Sequence, residues 1–177
     1  MTTEFDHRFS TSGRDLGLLL LRLAVGAAIL QAGLQKALDY GFVVDSMRQS
    51  GWKMPELAAF LVTTAETVGG VGLLLGLLTP LAAMAVTAAM IDAWAVNVAA
   101  AAFWSAPFNV PFLIGFGAIA LLLTGAGTYS MDQWLWGRAY WPRLVSITLL
   151  VVAIIAAVAT WVFLNGTNPI HLTTPGS

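Results

Sequence analysis

The chain of 177 residues contains no cysteine. It cannot run thiol–disulfide exchange on its own side chains, and it cannot build a cysteine-ligated metal site. Charge is nearly as scarce: only 10% of residues are Asp, Glu, Lys or Arg, against about 25% in a typical soluble domain. So little polar surface cannot cover a water-facing globule of this size. The net charge of -1 leaves no basic footprint, which excludes nucleic acid as a partner class. Histidine occurs twice, as His7 in the polar N-terminus and His171 near the C-terminus, too far apart in character to make a metal site. No nucleophile is paired with a base. Met1 to Asp15 is polar and mixed in charge, unlike a cleaved signal peptide.

What is abundant is apolar: 58% of residues are hydrophobic and mean hydropathy is +0.81. The expected partner is the lipid bilayer. A span needs about 20 mostly apolar residues. Such stretches run from about Leu16 to Leu38, Glu56 to Leu78, Leu81 to Phe103, and Leu144 to Leu164. A shorter one, Val110 to Thr124, is expected to extend a few residues either way. The runs are continuous, without the alternation of barrel strands, so all are read as helices. The fold class is all-α: a polytopic transmembrane bundle with a four-helix core and an additional C-terminal transmembrane helix. The chain divides into a polar N-terminus (1–15), a four-helix membrane core (16–132), an interfacial aromatic segment (133–143), the fifth helix (144–164) and a tail (165–177), expected to be disordered.

Thr79-Pro80 marks a tight turn that makes the second and third helices antiparallel neighbours. With the N-terminus inside, Arg8, Arg14, Arg138 and Arg143 fall on the cytoplasmic side, while Arg48 and Lys53 fall outside. That bias places the C-terminus outside the cytoplasm. Trp134, Trp136, Tyr140 and Trp141 would form an inner aromatic belt, with Trp52 and Trp104 anchoring the outer face. The Asn165-Gly-Thr triplet matches a glycosylation acceptor, a common chance pattern.

Four ionisable residues stand inside the spans: Arg22, Lys36, Glu66 and Asp92. Each costs at least about 2.5–3.5 kcal/mol to insert, so each is a candidate site residue by default. On the first helix, Arg22, Gly26, Ile29, Gly33 and Lys36 share a stripe of about 80°. The glycines permit close helix approach, so the stripe is expected to face the bundle. Lys36 could equally snorkel to the interface. Glu66 is mid-span and too short to snorkel. It must be paired, hydrogen-bonded or protonated, with Arg22 the first partner by reach and Lys36 the second. Gln31 and Gln35 are further polar candidates. Asp92 should lie at roughly the depth of Glu66, and two carboxylates at one depth resist double ionisation. The catalytic candidates are therefore Glu66, Asp92 and Arg22. Candidates for holding a cofactor are Arg22, Lys36, Glu66, Asp92 and Trp94, with quinone the candidate cofactor, and no metal is expected. Met90 flanks the acid as well. Asn97, five residues on, points elsewhere. A buried ion pair that only fixes packing is at least as good a reading of Glu66.

"LLTGAGTYSMDQWLWGR", Leu122 to Arg138, ends the fourth apolar run. Its glycines follow a helix rather than a strand, which excludes a dinucleotide loop. They suit a helix C-terminus, with Ser130 or Asp132 capping a short interfacial piece.

"RLAVGAAILQAGLQKAL", "AETVGGVGLLLGLLTPLAA" and "LLTGAGTYSMD", in that order, resemble the DoxX family of small bacterial membrane proteins. The likeness covers about Leu16 to Asp132. The shared positions are Arg22, Gly26, Gly33, Lys36, Glu66, Gly69, Gly70, Gly125, Gly127, Ser130 and Asp132. The resemblance implies a four-helix core in the bacterial cell (inner) membrane and a respiratory or oxidative-stress role. Relatives include the small subunit of thiosulfate:quinone oxidoreductases, and actinobacterial members are linked to an oxidoreductase complex with a sulfurtransferase-like protein and superoxide dismutase. Membrane or soluble oxidoreductase partners are thereby implied. Many relatives carry a histidine late in the third helix, where this chain has Asn97. The implied function is an accessory or scaffold subunit of such a system. A directly catalytic quinone-linked subunit is the alternative, and a small transporter or channel is weaker still, since no inverted repeat is evident.

Overall fold

The computed structural model describes residues 3–173, with side chains from residue 13 onward. Among the described residues every regular element is helical. In chain order these are α1 (Thr3–Leu38), α2 (Tyr40–Gln49), α3 (Pro55–Leu75), α4 (Thr79–Ala99), α5 (Val110–Thr124), α6 (Met131–Trp136) and α7 (Arg143–Thr160), which closes in a π-helical turn at Trp161–Asn165. Four segments are long and apolar enough to cross a membrane: Gly13–Leu38, Pro55–Leu75, Thr79–Ala99 and Arg143–Asn165. Their exposed apolar side chains, such as Leu20, Val68, Leu81 and Ile155, give the bundle an outer surface suited to lipid.

One expectation fails here. The helix α5 does not extend beyond its apolar run. Its 15 residues reach about 22 Å, short of the roughly 30 Å of hydrocarbon. Asn109 caps its start by accepting from the Phe112 N–H, and Gly125, at φ 86, ends it. One helix of 36 residues runs from the polar N-terminus into the first span. The side chains of His7 and Arg8 lie outside the described residues.

Close backbone approach sets the packing of α1 on α3. A Cβ on Gly33 would come within 2.6 Å of the Thr67 nitrogen, and one on Gly70 within 2.7 Å of the Leu30 nitrogen. A Cβ on Gly26 would come within 2.9 Å of the Leu74 nitrogen. These antiparallel pairs fix one register. Continued in both directions, it puts Arg22 opposite Leu78 and Lys36 opposite Thr64. Between α3 and α4, Gly69 meets Val86 and Gly72 meets Ala82, as the tight turn requires. Buried Ile29, Leu73, Val86, Leu121 and Leu122 form the middle of the core.

The bundle has two distinct ends. At one, the start of the first span, the α3–α4 turn and the Gly125–Pro142 segment meet. At the other, α2 folds back against α3, and the loop after α4 meets the last turn of α7. Trp52 is not a surface anchor there. It is 8% exposed and packs edge-on against Trp161 at 5.8 Å between ring centres. Trp104 is exposed, as expected. The tail is ordered as far as it is described: the Phe103 N–H donates to the His171 carbonyl at 2.7 Å. Asn165 is buried and its side-chain Oδ1 accepts from the Thr167 N–H, so the triplet sits in a closed turn. Residues 174–177 of the tail lie outside the described residues.

Candidate functional site

The charged stripe of α1 faces the bundle, yet its two cations serve different sites. Arg22 is 1% exposed. It donates to the Ala126 carbonyl at 2.9 Å and to the Tyr129 carbonyl at 2.6 Å. It therefore grips the glycine turn, and Glu66 is not its partner. The cause is register: α1 and α3 run antiparallel, so Arg22 lies beside Gly76 and the α3–α4 turn, far down the bundle from Glu66. A Cβ on Gly76 would fall 2.2 Å from the guanidinium.

Asp132 completes that end. It is fully buried and accepts from the Leu78 N–H at 2.6 Å, the Thr79 N–H at 3.0 Å and the Trp141 indole at 3.3 Å. Its carboxylate thus caps the start of α4, while Ser130, accepting from the Gln133 N–H, caps α6. The helix α6 is the short tryptophan-bearing piece expected after the glycines. Sequence reasoning missed Asp15, which is 7% exposed, accepts from the Tyr140 hydroxyl at 2.7 Å and from the Thr128 N–H at 3.2 Å, and ties α1 to the same corner.

Glu66 pairs with Lys36. The ammonium donates to Oε2 at 2.6 Å, with the glutamate side chain 2% exposed and the lysine 30%. Lys36 neither snorkels outward nor stands alone. Both residues border a cavity of about 420 Å³ between α3, α4 and α7. Asp92 lines it too, along with Asn97, which therefore does join this wall. The α3–α4 register sets Asp92 level with Val62, about 6 Å nearer the α2 end than Glu66. The two acids share a cavity but not a depth. No ion pair among the described residues reaches Asp92.

The remaining walls are apolar: Leu61, Val62, Ala85, Ala88 and Ala89 among them. Its size falls in the usual range for small-molecule sites, which are mostly apolar with a few placed polar groups. Trp94 and Met90 do not line it. The Trp94 indole donates instead to the Pro107 carbonyl at 2.8 Å, and Met90 packs in the core. Met47 and Trp52 do line it, and neither was foreseen. The spacing of Val43, Val44 and Met47 was the available signal that the segment after Asp39 forms a helix with a covered face. The groups of His, Asp and Glu among the described residues include none that could hold a metal ion.

Residues 17–100 match the DoxX family model. That stretch, just under half of the chain, is a DoxX domain. No curated protein and no solved structure matches it. The matched DoxX segment takes in α2, α3 and α4 with the transmembrane part of α1, so it contains Lys36, Glu66 and Asp92 together. The glycine turn and Asp132 lie beyond it, joined to it through Arg22 and the capped start of α4.

Proposed function

We propose that this DoxX protein is an accessory membrane subunit of a respiratory or oxidative-stress oxidoreductase system, and that it holds a quinone-type molecule beside Lys36, Glu66 and Asp92. The observation that carries the reading is the cavity: about 420 Å³ of mostly apolar space, within helices suited to a bilayer, bordered by three ionisable side chains. An isolated structural ion pair needs no such space beside it. The walls suit the group. An apolar ring would lie against the alanines of α4, the Lys36 ammonium offers a donor for a carbonyl oxygen, and Asp92 has no ion-pair partner among the described residues. Bound quinone would supply a two-electron acceptor, which the chain, without cysteine, lacks among its own side chains. Glu66 then acts as the fixed counter-charge that aims the Lys36 ammonium into the cavity.

The same reading puts the protein in a bacterial cytoplasmic membrane with its N-terminus inside. Supporting this, Arg14, Arg138 and Arg143 gather at the α6 end, where Arg14 stacks over Tyr140 at 4.9 Å and Arg138 over Trp141 at 5.7 Å. Trp134 and Trp136 are exposed beside them, as interfacial anchors are.

Quinone binding can be read directly, because Trp52 lines the cavity. Adding a short-chain quinone to the purified protein in mild detergent should quench tryptophan fluorescence saturably. Ala88→Trp, which fills the space, should abolish the saturable part. Linear quenching alone, equal in both proteins, would rule the cavity out as a quinone site. Gentle solubilisation of native membranes tests the wider role: recovery of the protein with no oxidoreductase component would count against an accessory subunit.

A further inference from the structure

A second cavity, of about 380 Å³, lies on the other side of Lys36. It sits between the last turns of α1 and the inner face of α2. Its walls are mixed: Ala32, Phe42 and Val43 are apolar, but Gln35, Asp39, Ser46 and Ser50, all exposed, bring it more polar groups than the inner cavity has. The two cavities share four bordering residues, Lys36, Met47, Trp52 and Val96. Lys36 thus stands at a neck, with polar space on one side and the mostly apolar cavity of Glu66 and Asp92 on the other.

A cavity holds water when it is roomy and offers polar partners; about 10–15 Å³ of probe-occupied volume suffices for one molecule. The polar cavity meets both conditions many times over. In the opposite direction a third cavity, about 450 Å³, shares Ala65 and Ala85 with the inner one and runs along α3 and α4 to Leu78 and Leu81, but its walls are almost wholly apolar and open on the lipid-facing surface, so they offer water no partners. Fully buried Ile29, Leu73, Val86, Leu121 and Leu122 fill the bundle between Glu66 and the Arg22 corner. Interiors packed in this way leave no path for water.

We infer that the polar cavity is an aqueous vestibule and that Lys36, Glu66 and Asp92 communicate with water only from the α2 end of the protein, through the neck formed by Lys36, Met47, Trp52 and Val96. Protons and small hydrophilic solutes therefore reach the intramembrane charges from one side of the membrane. This does not depend on what the apolar cavity binds, and it gives α2 a role: its inner face roofs the vestibule.

The absence of cysteine makes the inference directly testable, since any introduced thiol is the only one. Single variants Ser46→Cys in the vestibule, and Asp92→Cys and Ala88→Cys in the inner cavity, are placed in vesicles of known orientation. A charged, membrane-impermeant methanethiosulfonate reagent is applied from each side in turn. Expected is labelling of all three from the α2 side and of none from the α6 side. Adding Val96→Trp, which plugs the neck, should abolish labelling at 88 and 92 while leaving 46 reactive. The inference is overturned if positions 88 and 92 react only with an apolar, lipid-soluble maleimide, if they label from both sides, or if the plug leaves their labelling unchanged. Ala88→Cys keeps the test decisive if Asp92→Cys does not fold.

Discussion

The Lys36 ammonium meets Glu66 Oε2 at 2.6 Å where a polar and an apolar cavity adjoin. The pair is asymmetric, for the glutamate is sealed and the lysine is not. Removing one partner of a buried pair costs about 3–5 kcal/mol, because the other charge stays behind without compensation. Lys36→Met strands a sealed carboxylate and should lie near the lower edge of that range, about 3 kcal/mol, since its partner's cation is partly open. Glu66→Gln strands only a partly exposed ammonium and should cost less. The double variant should be more stable than the two losses predict by addition. Thermal unfolding in detergent, followed by helical circular dichroism across all four proteins, measures that coupling; strict additivity would show that the two residues do not interact.

Asp132 offers the second prediction. Among the described residues its carboxylate is the only side chain that accepts from the N–H groups of Leu78 and Thr79, and it is fully buried. Asp132→Ala leaves both donors without that partner and should cost about 1–3 kcal/mol, the usual loss for an unsatisfied buried group. Asp132→Asn keeps an acceptor and should cost less. Loss of a co-purifying partner from the alanine variant would therefore report damage to the fold as readily as a docking site. Thermal unfolding of the two variants alone separates those causes, and equal stability of Asp132→Ala and the unsubstituted protein would remove the cap from the account.

The spans and the site acids were legible for the same reason. Charges such as Glu66 and Asp92 stand out only inside long apolar runs, and those runs also define the helices. The partner of Glu66 was not legible. Side-chain reach favours Arg22, but reach matters only after register is known, and register comes from backbone contact at Gly33 and Gly70. The helix α2 gives no span signal, because Asp45 and Arg48 interrupt its short apolar spacing; in the structure Arg48 pairs with Asp45 and with Glu56 at the surface. Trp52 resembled a membrane anchor by position along the chain, whereas the fold-back of α2 buries it. The cavity walls, largely alanine, carry no sequence signal at all.

Glycine substitutions test the register itself. On Gly70 and Gly33 a methyl group would press into backbone atoms of the facing helix at 2.7 and 2.6 Å. Backbone cannot swing aside, so α1 and α3 must part. Gly70→Ala and Gly33→Ala should each cost about 1–3 kcal/mol, as overpacking does. Gly17, on the same helix, has nothing within 4 Å of an added Cβ. Gly17→Ala should be neutral or gain up to about 1 kcal/mol from helix preference. The ranking is read from midpoint temperatures of the three variants. A Gly70→Ala protein as stable as Gly17→Ala would mean that the two helices do not approach as described.

The corner at Asp15 answers to pH from the tyrosine side. The Tyr140 hydroxyl donates to Asp15 Oδ1 at 2.7 Å, and that bond, with the carboxylate's charge, raises the phenol above its ordinary value of 10.0. A raised folded value means that the bond contributes its full stability below the unfolded tyrosine value. That contribution is lost as pH climbs through the folded value, because the phenolate can no longer donate and faces a carboxylate. Ultraviolet difference titration near 295 nm should therefore show one tyrosine ionising later than an unfolded tyrosine. Asp15→Asn should bring that tyrosine earlier. Tyr140→Phe should remove the late step altogether. If the late step survives in Tyr140→Phe, the tie between α1 and the segment before α7 is not made by this hydroxyl, and the corner must rest on the Thr128 N–H and Arg22 alone.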